Sequence, residues 1–573
     1  MMLEIKTFPQ DMSALPVDHQ DPRRCLVSGV FEETVDVQGT PRTFYTYLTP
    51  GLRYNQPCLV VAAPEGVSGP EYLEKSAWMT FADEHKLFLF LAVPEKDHWK
   101  LDGSDADYFN KVYLQINARR SYVTMQDNIY AFGVGVGATV AQQAVMKMST
   151  EWSGLASFGD LDPHALLNTE TSAAAENTGK TELFISAAKV QVPVWMSWSE
   201  NTGTNQAVCA YWMKQNESDP ERFTNAWADE IYYPEKVVRK SQVNEEHIAQ
   251  VRITNHFQGE PDSERIQAVW DYLGLACRHR GFGVKQLRYH IDPEKYGFTY
   301  HTMEHQGFLR CWYEYVPAKV KESGQAAPLV LCMHGRGGSA ESFISLSGMS
   351  RVAEERNFIV VFPEASVSKQ PSTGFRNLLL WEGCFEGEHI DDTAFLLRLI
   401  EDVKSRNHVD ASRIYPCGQS SGGMMTTKMA LTAPKVFAAA APWSALVSPD
   451  AELVLPESID PPVPFMFLFG DKDWLCAGDE LGEIKVAEPI GKFLANLIQL
   501  YELESDPSTY QVGEITYFVF RNAKGTPMLT VGRVADMPHA NYPRESWIAY
   551  DEFMSKFSRA EDGTLLYMGK PAL

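Results

Sequence analysis

Residues 413–425 read RIYPCGQSSGGMM. An apolar run leads in, glycines flank a serine as Gly418-Gln419-Ser420-Ser421-Gly422, and a run of helical character, GGMMTTKMALTA, leads out. A Gly-x-Ser-x-Gly placed between strand and helix forms a nucleophile elbow. The backbone reverses so sharply there that the hydroxyl projects above the sheet, and a side chain at either glycine would strike neighbouring backbone. Pro416 cannot donate a ladder hydrogen bond and is expected at a frayed strand end.

The same frame occurs once more. Residues 128–140 read NIYAFGVGVGATV, with Gly135 where the later copy has Ser420. Working outward, RTFYTYLTP followed by QPCLVVAAPEG parallels RCWYEYVP followed by APLVLCMHGRGG. SAWMTFADEHKLFLFLAVPE (76–95) parallels SGMSRVAEERNFIVVFPEAS (347–366), and PVWMSWSE (193–200) parallels PFMFLFGDKD (464–473). NHFQGEPDSERIQAVWDYL (255–273) parallels PHANYPRESWIAYDEFM (538–554), a His-containing loop and then a closing helix. Continuous apolar strands alternating with helices indicate α/β architecture with doubly wound, mostly parallel sheets. Five matched segments in one order predict two tandem domains, 1–285 and 286–573.

The chain has 573 residues, 45% hydrophobic and 22% charged, enough for two large cores. Its formal charge of −23 disfavours nucleic acid and anionic membrane surfaces and suits a neutral substrate. The nine cysteines are scattered without CxxC spacing, which reads as reduced thiols and neither a zinc site nor a disulfide framework. No signal peptide or membrane span is visible, so a cytoplasmic location is expected.

A serine hydroxyl needs a base and the base an orienting acid, in this fold in the chain order Ser, acid, His. His539 is the only histidine downstream of Ser420. Asp473, beyond the strand PFMFLFG, is favoured as the acid over Asp471, with Asp536 third. Oxyanion donors are expected from the N–H of Ser421 and, in His334-Gly335-Arg336-Gly337-Gly338, from the N–H of Arg336, with Gly337 next. His334 is read as a support for that loop. Trp381, Trp443 and Trp474 stand at expected strand ends and are predicted to line an apolar acyl or alcohol site.

LVLCMHGRGG, EHIDDTAFLLRLIEDV, RIYPCGQSSGGMM, FLFGDKD and the late PHA together resemble the polyhydroxybutyrate depolymerase-like esterases. That group of α/β-hydrolases includes polyester depolymerases and feruloyl and acetyl-xylan esterases, and the resemblance covers roughly residues 305–560. It implies Ser420 as nucleophile, Asp473 as acid and His539 as base, acting on a small or oligomeric ester with no metal or organic cofactor. A serine peptidase, an acyltransferase and a non-catalytic scaffold are the rival readings.

The first half departs from this pattern. Gly135 has no side chain, Thr202 stands opposite Asp473, Pro64 opposite His334, and His256 opposite His539. A catalytically silent domain is expected, serving packing, cleft shape or homo-oligomer contacts. Dinucleotide binding by GVGVG is not expected, because the duplicated elbow already accounts for its glycines.

Overall fold

The computed structural model describes residues 3–9, 20–21, 23–118, 128–168, 174–177, 182–185, 190–235, 238–239, 242–243, 248–279, 286–370, 375–385, 388–445 and 459–573. They fall into two compact units, one chiefly Arg23–Glu176 with Leu183–His290, the other chiefly Ile291–Leu573. The division lies slightly beyond residue 285, because Gln286–Tyr289 pairs antiparallel with Ala276–His279 and so stays with the first unit.

Each unit is built on a ten-stranded sheet. Edge to edge, the second reads Thr299–His305, Phe308–Tyr315, Ile359–Pro363, Ala327–Met333, Val409–Gln419, Ala441–Trp443, Phe465–Gly470, Pro527–Val534, Ile515–Arg521, Ser508–Val512. The six strands from Ile359–Pro363 to Pro527–Val534 run parallel, and antiparallel pairs close both margins. The first sheet reads Ile5–Thr7, Gly29–Val37, Thr40–Leu48, Phe88–Ala92, Cys58–Ala62, Ile129–Val134, Gly154–Phe158, Val194–Ser197, Val251–Thr254, Glu230–Tyr232. From Gly29–Val37 to Val251–Thr254 it repeats the later order, antiparallel pairs first and then a parallel block. The inner strands CLVVA, FLFLA, APLVLCM and IVVFP are buried throughout, as apolar runs covered on both faces must be.

A buried ion pair recurs at one place in both sheets. Arg42 meets Asp105 at 2.6 Å, and Arg310 meets Asp392 at 2.6 Å. Each arginine lies over the aromatic ring three residues past its aspartate, 4.1 Å from Tyr108 and 3.9 Å from Phe395. Each also donates to a carbonyl just past the adjacent strand, that of Val93 or Glu364. Removing one partner would strand a buried charge at a cost of about 3–5 kcal/mol.

Pro416 is not at a frayed end. It lies inside the strand Val409–Gln419, opposite Leu331. The neighbouring strand Ala441–Trp443 begins its pairing one residue later, at Cys417, so the missing N–H falls where that ladder has not started. Among the described residues no helix is long and apolar enough to cross a membrane, and no group of three or more His, Cys, Asp or Glu gathers to hold a metal.

Candidate active site

Ser420 sits between the strand Val409–Gln419 and the helix Ser421–Thr432 with φ 54° and ψ −120°. A side chain is rarely tolerated in such a conformation, which costs about 1–3 kcal/mol and marks functional turns. Close packing makes the turn possible. A Cβ at Gly418 would lie 2.5 Å from the Met333 carbonyl oxygen, and one at Gly422 would strike the same oxygen. The Ser420 N–H donates to the Trp443 carbonyl (2.9 Å), which fixes the elbow to the next strand.

His539 reaches the elbow on the loop after the strand Pro527–Val534. Its Nε2 is 3.0 Å from Ser420 Oγ, and its Nδ1 is 3.0 and 3.1 Å from the two Asp473 oxygens. Gly470 lets that loop close, since a Cβ there would strike the Met537 carbonyl, which also accepts the Lys472 N–H at 3.0 Å. Asp473 is fully buried. Burial would raise its carboxyl, but the facing imidazole and the Leu475 N–H at 2.9 Å outweigh that and hold it below the ordinary carboxylate value. Asp471 is turned to other work, accepting the Asp536 N–H at 2.7 Å. Neither Asp471 nor Asp536 is bonded to His539 through its carboxylate; Asp473 is.

Two residues around Asp473 have no motif to announce them. Ser444, with φ 40°, donates its hydroxyl to the Ala540 carbonyl at 3.0 Å, tying the strand end to the histidine loop. Burial, with the Asp473 charge beside it, pushes the Cys476 thiol well above its ordinary value, so it remains a protonated neighbour of that carboxylate. The only hint in the sequence is their position, Ser444 just past a strand end and Cys476 three residues after the acid.

Ser421 is the first residue of its helix, where the N–H has no intrahelical acceptor. Gly335 lies against the elbow, a Cβ there falling 3.4 Å from Ser420 Cβ. Arg336 follows at the exposed tip of the turn. The Gly337 N–H is committed to the Leu379 carbonyl at 2.8 Å and so is not available as an oxyanion donor. His334 is buried, its Nε2 accepting the Ala365 N–H (3.1 Å) and its Nδ1 therefore donating to the Gly335 carbonyl (2.8 Å). It braces the loop.

The three tryptophans part company. Trp381 and Trp443 are each only 1% exposed, so neither presents a face to a ligand, contrary to the expectation for strand ends. Trp381 instead runs beneath the loop and donates to the His334 carbonyl at 2.8 Å. Trp474 is 45% exposed, its ring centre 5.5 Å from that of His539.

The first unit has the same turn without a hydroxyl on it. Gly135 has φ 58°, and its N–H donates to the Phe158 carbonyl at 2.8 Å, as Ser420 does to Trp443. Thr202 caps the helix Gly203–Gln215, accepting the Asn205 N–H. Counted from the end of the paired strand, His256 does not fall at the position of His539. It lies two residues past the last paired residue, Thr254, with φ 58°, as Asp536 lies two past Val534 with φ 58°. Three residues further on stand Gly259 and His539.

Residues 311–457 match the family model described as "Esterase PHB depolymerase". Feruloyl esterase B of Neurospora crassa is 31% identical over 137 residues, 23% of this chain and 42% of that protein. Poly(3-hydroxyalkanoate) depolymerase C of Paucimonas lemoignei is 33% identical over 120 residues, 20% of this chain and 27% of that one. The chain thus spans less than half the length of these relatives. Among solved structures, an acetyl xylan esterase from Aspergillus awamori aligns over 45% of this chain and 99% of its own, at 14% identity and a TM-score of 0.33.

Proposed function

We propose that the chain is a serine carboxylic-ester hydrolase whose chemistry resides in the second unit. One observation carries the reading: His539 Nε2 lies 3.0 Å from the hydroxyl of a serine held at φ 54° on a helix N-terminus, with Nδ1 on a buried carboxylate. His539 takes the Ser420 proton as Oγ attacks the ester carbonyl, and Asp473 holds the tautomer and faces the imidazolium. The N–H groups of Ser421 and Arg336 receive the oxyanion. Collapse expels the alcohol, which takes its proton from the imidazolium and leaves an acyl-serine. The same imidazole then activates water to release the acid.

Hydrolysis of p-nitrophenyl and hydroxycinnamoyl esters, set against peptide amides, tests the reading. Turnover of amides alone would replace it with a peptidase. Trp474 offers the flat apolar wall for an aryl group. Trp474→Ala is expected to raise KM about tenfold for hydroxycinnamoyl esters and about twofold for acetyl esters, with kcat nearly unchanged.

The first unit is a silent copy of the second, arisen by duplication. Restoring its hydroxyl does not restore its base. The doubly substituted Gly135→Ser, Ser420→Ala protein is expected to show no hydrolysis above the Ser420→Ala background in the same ester assay.

A further inference from the structure

The silent elbow of the first unit does not collapse. Above it lies a cavity of about 450 Å³, within the roughly 300–1,000 Å³ range of small-molecule sites. Gly135 and Gly259 both line it, Gly135 at the elbow position that Ser420 holds in the second unit and Gly259 three residues past the left-handed turn at His256, as His539 is three past Asp536. Neither glycine carries a side chain into the cavity.

The rest of the lining restricts the ligand. Among the described residues it includes the carboxylates of Asp160 and Glu260 and no lysine or arginine, so an anion would meet repulsion from two carboxylates, opposed by a single helix end. A cation fares little better. Asp160 is already engaged by the Ser199 N–H at 2.9 Å, the Ser199 hydroxyl and the Glu200 N–H at 3.2 Å. Burial raises the Glu260 carboxyl, which accepts the Tyr72 hydroxyl at 2.9 Å. The helix Gly137–Lys147 also turns its positive end toward the elbow. What remains are acceptor oxygens for hydroxyl donors beside the half-buried ring of Phe257, which is backed by the buried Phe158 with ring centres 5.7 Å apart.

We infer that the first unit retains the emptied site as a binding pocket for an uncharged, hydroxyl-bearing ring, that is, a neutral sugar. This rests on the first unit alone and does not depend on ester chemistry in the second. Calorimetric titration of the full-length Ser420→Ala protein with cellobiose, xylobiose and maltose tests it, with glucuronate and glucosamine as charged counterparts. At least one neutral sugar is expected to bind ten times more tightly than either charged one. Phe257→Ala and Glu260→Gln, each added to Ser420→Ala, are expected to weaken that binding tenfold or more. In the wild-type background the same two substitutions should leave p-nitrophenyl ester turnover unchanged. If Phe257→Ala melts early, Glu260→Gln alone decides, since residue 260 is the more exposed of the two. Absence of neutral-sugar binding, equal or tighter binding of a charged counterpart, or a smaller loss in the deciding variant overturns the assignment.

Discussion

Replacing Ser420 by alanine is expected to cut p-nitrophenyl ester turnover by about 10⁶-fold and to abolish labelling by a fluorophosphonate. So large an effect follows from the proposed mechanism, in which the hydroxyl oxygen forms the acyl bond and nothing else in the elbow can replace it. The Ser421 and Arg336 N–H groups survive the change and would leave a residual rate about 10³–10⁴-fold above water. Alanine suffers the same left-handed backbone as serine, so the melting temperature should hardly move, and intact mass after labelling separates lost chemistry from lost fold. Wild-type turnover that persists in Ser420→Ala would remove the elbow from the mechanism.

Asp473→Asn is expected to lower kcat by about 10⁴-fold while KM changes little. An amide has nearly the shape of the carboxylate, but it can offer N–H to the imidazole and select the tautomer whose Nε2 carries the proton, leaving no acceptor for the Ser420 hydroxyl. It also removes the charge facing the imidazolium. The Asp473 carboxyl is held below its ordinary value in the fold. Its share of stability is therefore fully present above about pH 4, the unfolded value, and is lost as pH falls through the lower folded value. An ordinary assay near neutrality keeps it ionised, and only the asparagine variant should show the defect there. Asp471→Asn makes the contrast: it keeps an acceptor for the Asp536 N–H and should stay within about threefold of wild type.

How much of this was legible in the chain varied residue by residue. The elbow announced itself because the glycines on either side of Ser420 answer a steric demand that no other residue meets, and the same demand exposed its counterpart at Gly135. The sheet was legible because CLVVA, FLFLA, APLVLCM and IVVFP are apolar on both faces. The choice of acid was less sharp: strand-end position favoured Asp473, but Asp471 is two residues away, and it is the His539 imidazole on one and the Asp536 N–H on the other, both from a distant loop, that separate their duties. Trp381 and Trp443 misled for a related reason: strand-end position says where a backbone stops, while the ring of Trp381 turns back beneath the His334 carbonyl. The paired Arg42 and Arg310 were visible as RTFY and RCWY, but their partners Asp105 and Asp392 lie in helices far along the sequence, where spacing carries no signal. Pro416 was misplaced because a strand's tolerance for proline depends on where its neighbour starts.

The turn at Ser420 has a consequence for how such a protein can change over time. Glycine adopts the left-handed backbone freely, whereas serine is forced into it, so exchanging serine for glycine relaxes the fold by about 1 kcal/mol or more. A copy released from selection for turnover would gain robustness at its first inactivating step. The return path runs uphill, meeting renewed tension at once and recovering activity only after an imidazole and a carboxylate had also come back. Decay at such a bend would work as a ratchet: a glycine held at φ 58°, as Gly135 is, rests without tension where a serine would be forced.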